Sequence, residues 1–241
     1  MKVHPSSQLS LALAPRPSWG GARAGAGRRP GKRPRVQHRA RSRVRASHPC
    51  HVTLRIVRGL PSLRCKPLVR AFERTLQRGC ERGSFRVVHY SLQRDHVHLI
   101  VEASDEGSLG RGMMSVGGRL ARAVNRVFGR SGPVLADRYH VRALKTPREV
   151  RNALAYVLLN VRKHLASSRL LISRAAQIPD CASSGRWFDG WRRSPVLDST
   201  RPSVARPRSW ILAVGWKRHG LIDPCECPGA PRGHRPRRHP R

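Results

Sequence analysis

The stretch from Leu109 to Phe128 restricts the fold most strongly, because Leu109, Met113, Val116, Leu120, Val124 and Val127 recur there at steps of three and four. Such steps place six apolar side chains on one stripe of a helix. Arg111, Arg119, Arg122, Arg126 and Arg130 fall on the other side, within about 100° of arc. A helix of this kind must bury one face against a second layer, while the other presents five cations with no interleaved acid.

The second layer is predicted from period-two segments. His51 to Val57 is β-branched and ends at Gly59-Leu60-Pro61, which reads as a strand closed by a turn. Phe85 to Leu92 and His96 to Glu102 read as two strands joined around Gln93-Arg94-Asp95. Between the first and second strands, Pro67 to Arg82 carries Leu68, Phe72 and Leu76 at helical spacing. A third helix starts at Thr146-Pro147-Arg148-Glu149, which supplies an N-cap, a proline at the first helical position and a capping-box Glu, and runs to about Leu165. The order strand, helix, strand, strand, helix, short strand, helix predicts an α+β fold, a ferredoxin-like antiparallel sheet with helices packed on it.

Outside this pattern the chain changes character. Residues 1–49 hold twelve Lys or Arg and no acid among Gly and Pro, and are expected to be a disordered basic arm. Within it, Gly27-Arg28-Arg29-Pro30-Gly31-Lys32-Arg33-Pro34-Arg35 resembles an AT-hook; equally it reads as a solvated tail that meets phosphates anywhere. Residues 50–166 form the expected main domain. Residues 167–222, with Trp187, Phe188, Trp191 and Trp210, are expected to pack on it, and residues 223–241 to be a loose basic tail.

The 49 Lys and Arg against 13 Asp and Glu give a formal net charge of +36. Self-repulsion of that size opposes a compact state unless a polyanion neutralises it, so nucleic acid is the expected partner class. Six cysteines without a C-x-x-C pair indicate neither a zinc site nor a disulfide framework. With no apolar run of the roughly 18 residues a membrane span needs, the expectation is a cytoplasmic, nucleoid-associated protein with no membrane partner.

Two sets of residues carry chemistry. In a strand, alternate side chains share a face, so His96 and His98 project together as a two-imidazole metal platform while Val97, Leu99 and Val101 enter the core. On the third helix, Val150, Leu154, Val157, Leu158, Val161 and Leu165 define the buried stripe, and Tyr156 sits about 150° from its centre. Asn160 and Lys163 share that side, so the helix is expected to present a phenol, an amide and an ammonium outward. By pattern alone Tyr156 also reads as an amphipathic surface tyrosine.

His96-Val97-His98-Leu99-Ile100-Val101, followed about 55 residues later by Tyr156-Val157-Leu158-Leu159-Asn160-Val161-Arg162, resembles the single-tyrosine HUH transposases of the insertion-sequence and REP-associated type. In that family a His-hydrophobic-His strand precedes a helix with Tyr-x-x-x-Asn. The resemblance covers about residues 50–165, including Gly132-Pro133-Val134-Leu135-Ala136-Asp137-Arg138-Tyr139 before the helix. The sequence departs from the family at Val161, where proline is usual, and at Arg94-Asp95 before the histidines.

The resemblance implies cleavage and joining of single-stranded or hairpin DNA by a homodimer. Tyr156 would be the nucleophile that forms a 5′-phosphotyrosine. His96 and His98, with Asn160 as a third ligand, would hold Mg²⁺ or Mn²⁺. Lys163 would help the phenol ionise, and Arg111, Arg119, Arg122 and Arg126 would hold the DNA backbone.

Other readings exist. A ferredoxin-like module can bind nucleic acid through its arginines without catalysis. A two-histidine phosphoesterase, suggested by His51-Val52-Thr53, needs a second such motif, and a histidine-triad hydrolase needs a third histidine where Ile100 stands.

Overall fold

The computed structural model describes residues 43–167, 179–193 and 200–228, apart from the side chains of 161–167. A five-stranded sheet carries the architecture, built from β1 (Cys50–Arg55), β2 (Glu81–Arg82), β3 (Phe85–Leu92), β4 (His96–Ala103) and β5 (His140–Ala143). Its order is β2-β3-β4-β1-β5, with every neighbouring pair antiparallel. Three long helices, α1 (Lys66–Gln77), α2 (Glu106–Val127) and α3 (Pro147–Ser167), interleave with the strands, and a short α4 (Trp210–Ala213) follows. The fold is therefore the α+β, ferredoxin-like arrangement that the element order predicts.

Alternation along the strands separates two cores. Val52 and Leu54 of β1 and Val97, Leu99 and Val101 of β4 pack with Leu68, Phe72 and Leu76 of α1 and Leu109, Met113, Leu120 and Val124 of α2. Ile100, whose side chain emerges on the other face of β4, belongs with Val88 to a second core that also contains Val150, Leu154, Val157 and Leu158 of α3. So α1 and α2 cover one side of the sheet and α3 covers the side from which His96 and His98 project. Gly112 lets α2 approach β3 closely, since a Cβ there would lie 2.2 Å from Phe85 Cγ.

α2 starts at Glu106, one turn before the expected Leu109, and α3 starts with the predicted cap. Asp105 caps α2 by accepting from Ser108 N at 2.8 Å. At α3, Thr146 Oγ1 accepts from Glu149 N at 3.2 Å while Glu149 Oε2 accepts from Thr146 N at 3.2 Å, a reciprocal capping box.

The structure also departs from the sequence reading. The helix expected to reach Arg82 stops at Gln77, and Glu81–Arg82 pairs with β3 instead. A bulge between Val87 and His89 breaks the simple alternation of β3, so that Val87 and Tyr90 share one core.

Residues 1–42 of the basic arm lie outside the described residues. Its last part packs: Val44 is buried, and its N–H donates to Glu106 Oε1 at 2.9 Å. Phe188, Trp191, Leu212, Trp216 and Ile222 form an outer layer over α3. Arg151 fastens it by donating to both carboxylate oxygens of Glu226, at 2.5 and 2.6 Å; residues 229–241 of the expected tail lie outside the described residues. No helix among the described residues is long and apolar enough to cross a membrane.

Candidate active site

β4 brings His96 and His98 side by side, with their Nε2 atoms 3.0 Å apart and their rings nearly perpendicular at 81°. Both come from the α3 side of the strand, as period two requires. His96 Nδ1 donates to Asp95 Oδ1 at 2.7 Å, and this hydrogen bond holds the Asp95 carboxyl below its usual range.

The adjacent strand adds two residues. The register sets Thr53 opposite His98 and His51 opposite Ile100. Thr53 Oγ1 lies 3.2 Å and His51 Nε2 3.1 Å from His98 Nδ1. Burial, followed by the nearness of His140 and Arg142 on β5, lowers the His51 pKa to about 4, so its imidazole is neutral near pH 7.

Tyr156 closes the cluster from α3. Its ring stands edge-on to His98 at 5.0 Å between centroids and to His51 at 5.7 Å. It is half-buried and turned toward the sheet, which corrects the expected outward direction. Asn160, one turn further along, is 1% exposed, again contrary to that expectation. The reason is the outer layer: α3 is packed on two sides, and a single apolar stripe does not reveal the second. Neither amide atom of Asn160 has a hydrogen-bond partner among the described residues. The Lys163 side chain lies outside them.

These residues suit a divalent ion. Two donors about 2.1 Å from an ion and at right angles stand about 3.0 Å apart, which is the separation of the two Nε2 atoms. The buried amide of Asn160 offers an unsatisfied oxygen on the helix that carries Tyr156. No group of three or more His, Cys, Asp or Glu suited to an ion occurs among the described residues, so the remaining ligands would come from Asn160, water or a bound phosphate.

The arginines of α2 lie elsewhere. A groove of about 350 Å³ between α1 and α2 is lined by Arg74, Arg78, Arg82, Arg119, Arg122 and Arg126, without an acid. Arg111 lines a neighbouring hollow with Ser108 and Ser115. Partial burial, and then the charges of Arg82 and Arg122, lower the Arg119 pKa; its guanidinium also donates to Thr75 O at 3.1 Å. Since α1 and α2 cover the opposite side of the sheet, these cations do not adjoin the histidines. Sequence reasoning brought both sets to DNA but not to opposite faces.

His51, Thr53 and Asp95 are site residues that sequence reasoning did not assign. The alternation of His51 and Thr53 around Val52 was the available signal, but it becomes a signal only once β1 is paired with β4.

No protein-family model matches the chain, and no curated protein matches it in sequence. Among solved structures, it is similar to a REP-associated tyrosine transposase bound to a REP hairpin, at 12% identity and TM-score 0.48, over 69% of this chain and 93% of that one. A second similar structure is a protein from Deinococcus radiodurans R1 described as a candidate transposase, at 12% identity and TM-score 0.35, over 55% of this chain and 96% of that one. The chemistry of the present chain has to come from its own side chains.

Proposed function

We propose that the chain is a DNA strand-transfer enzyme that cleaves and rejoins single-stranded or hairpin DNA through a 5′-phosphotyrosine on Tyr156. His96 and His98 would hold Mg²⁺ or Mn²⁺, with Asn160 as a further ligand. The observation that carries this reading is the meeting of a phenol with two converging imidazoles, the Tyr156 ring standing 5.0 Å from that of His98. A divalent ion held there supplies neutralising charge to the scissile phosphate and to the departing 3′ oxygen.

The chain's residues account for the rest. Tyr156 Oη, giving its proton to solvent, attacks phosphorus; the new P–O bond forms as the P–O3′ bond breaks, and the 3′ oxygen leaves with the electron pair and is protonated. In rejoining, the 3′ hydroxyl of a second strand attacks the phosphotyrosine and releases Tyr156. One phosphoester bond replaces another at each step, so no nucleoside triphosphate is consumed. Asp95 keeps the His96 proton on Nδ1 and the Nε2 lone pair toward the site. Arg111, Arg119, Arg122 and Arg126 hold DNA phosphates, Lys163 assists Tyr156, and the enzyme acts as a homodimer.

A non-catalytic nucleic-acid-binding role is favoured by one observation, the acid-free arginine groove on the opposite side of the sheet. Incubating the full chain with labelled hairpin DNA and Mn²⁺, then resolving it on a denaturing gel, separates the two. The enzyme leaves a covalent adduct that disappears with chelator, with Tyr156→Phe and with His96→Ala or His98→Ala, while DNA affinity in the histidine variants stays nearly unchanged. Binding without adduct supports the non-catalytic reading, and adduct in the Phe variant removes Tyr156 from its role.

A further inference from the structure

The two imidazoles differ in what holds their remote nitrogens. Asp95 presents a carboxylate to His96 Nδ1, and a carboxylate only accepts, so that nitrogen must carry the proton. His98 Nδ1 instead meets two groups from β1, His51 Nε2 at 3.1 Å and Thr53 Oγ1 at 3.2 Å. A hydroxyl and an imidazole can each donate or accept. Neither locks His98 by itself unless the rest of the site fixes the direction.

A bound cation would fix it. Without one, His98 Nε2 is the donor to the His96 Nε2 lone pair across 3.0 Å, and its Nδ1 accepts. Once a divalent cation is shared between those two atoms, the single ring proton of neutral His98 must be on Nδ1. Something must then accept it, because a buried donor without an acceptor has lost its hydrogen bond to water and gained none. The Thr53 hydroxyl turns freely about its C–O bond. The His51 ring is held by its neighbours: it is tilted 39° to His98 at 5.1 Å and edge-on to Tyr156 at 5.7 Å.

Resting on the reading that His96 and His98 hold a metal, we propose that His51 is a positioning residue, whose Nε2 accepts the Nδ1 proton of His98 and so directs the His98 Nε2 lone pair to the ion. His51 then carries its own proton on Nδ1, and no net proton is gained or lost. Because the same ring also touches Tyr156, it fixes a metal ligand and the nucleophile relative to one another.

The test uses the full chain, with Mn²⁺ affinity measured by calorimetry and Zn²⁺ as a diamagnetic probe for ¹⁵N spectra of the histidines. In the wild-type chain with Zn²⁺, His98 should show the Nδ1–H tautomer. His51→Phe keeps a ring against Tyr156 but has no acceptor, and Mn²⁺ affinity should fall about tenfold or more, the usual range for loss of such a partner. His51→Gln restores a carbonyl acceptor and should recover most of that loss. Wild-type affinity and an unchanged His98 spectrum in the Phe variant would overturn the role of His51, leaving the proton to Thr53. An equal loss in Phe and Gln would also overturn it, in favour of packing alone. No Mn²⁺ binding by the wild-type chain would overturn the metal platform itself, an outcome distinct from the other two.

Discussion

Asn160 sits buried within α3 with neither amide atom met by a partner among the described residues. An unsatisfied polar group in such a place costs on the order of 1–3 kcal/mol. Natural chains keep such costs where function needs the group, since stability and activity then pull apart. Replacing Asn160 by Leu, which keeps the branched shape without the polar atoms, should therefore raise the metal-free melting temperature, by about 2–4 °C for each kcal/mol recovered, while weakening Mn²⁺ binding. Calorimetry of the two chains in chelator, followed by Mn²⁺ titration, measures both effects. A lower melting temperature would mean that the amide stabilises the fold, and unchanged Mn²⁺ affinity would remove it from the ligand set. Tyr156→Phe belongs beside it: the ring is half-buried and keeps its packing, so the variant should lose about 1 kcal/mol at most and all of its DNA adduct.

At the scale of elements, α3 is the piece between layers, with the sheet beneath it and Phe188, Trp191 and Trp216 above. His89 of β3 ties that outer layer to the sheet: its Nδ1 is 3.2 Å from Ser184 Oγ, and its ring stands edge-on to Phe188 at 5.3 Å. Burial lowers its pKa from 6.5 to about 4. The unfolded chain therefore binds this proton below pH 6.5 while the folded chain stays neutral until about pH 4. Stability is fully present above 6.5 and lost as pH falls through that window, at on the order of 1 kcal/mol per pH unit per histidine. Urea unfolding between pH 7 and 4.5 should show that slope, and His89→Gln should flatten it; an unaltered slope would assign the effect to His51 or the carboxylates. The same layering explains what was legible in the sequence. His96 and His98 could be paired because a strand has period two whatever covers it. The directions of Tyr156 and Asn160 could not be read, because one apolar stripe reports one buried side and α3 has two. His51 joins the site only through the β1 register, a long-range pairing that local pattern does not encode.

At the scale of the whole molecule, a net charge of +36 makes a polyanion the natural partner, and the position of the cations decides how it is held. Arg74, Arg78, Arg82, Arg122 and Arg126 line the α1–α2 groove, whereas Tyr156 and the histidines lie beyond the sheet. Binding and cleavage should therefore separate. Each arginine that meets a phosphate releases close to one counterion, so Arg122→Gln together with Arg126→Gln should weaken binding to all DNA sequences and reduce the slope of log K against log salt by about one unit for each phosphate no longer neutralised. Arg119→Gln should do the same and also cost about 1 kcal/mol of stability, because its guanidinium holds the Thr75 carbonyl near the end of α1. Under single-turnover conditions with the chain saturating, the Arg122 and Arg126 double variant should form adduct at nearly the wild-type rate, since no reacting group has moved. The salt titration and the saturating adduct assay read the two faces independently. An unchanged slope would leave the groove as a solvated surface. Failure to form adduct at full occupancy would mean that the groove positions the scissile strand, placing the two faces on one DNA path around the sheet edge.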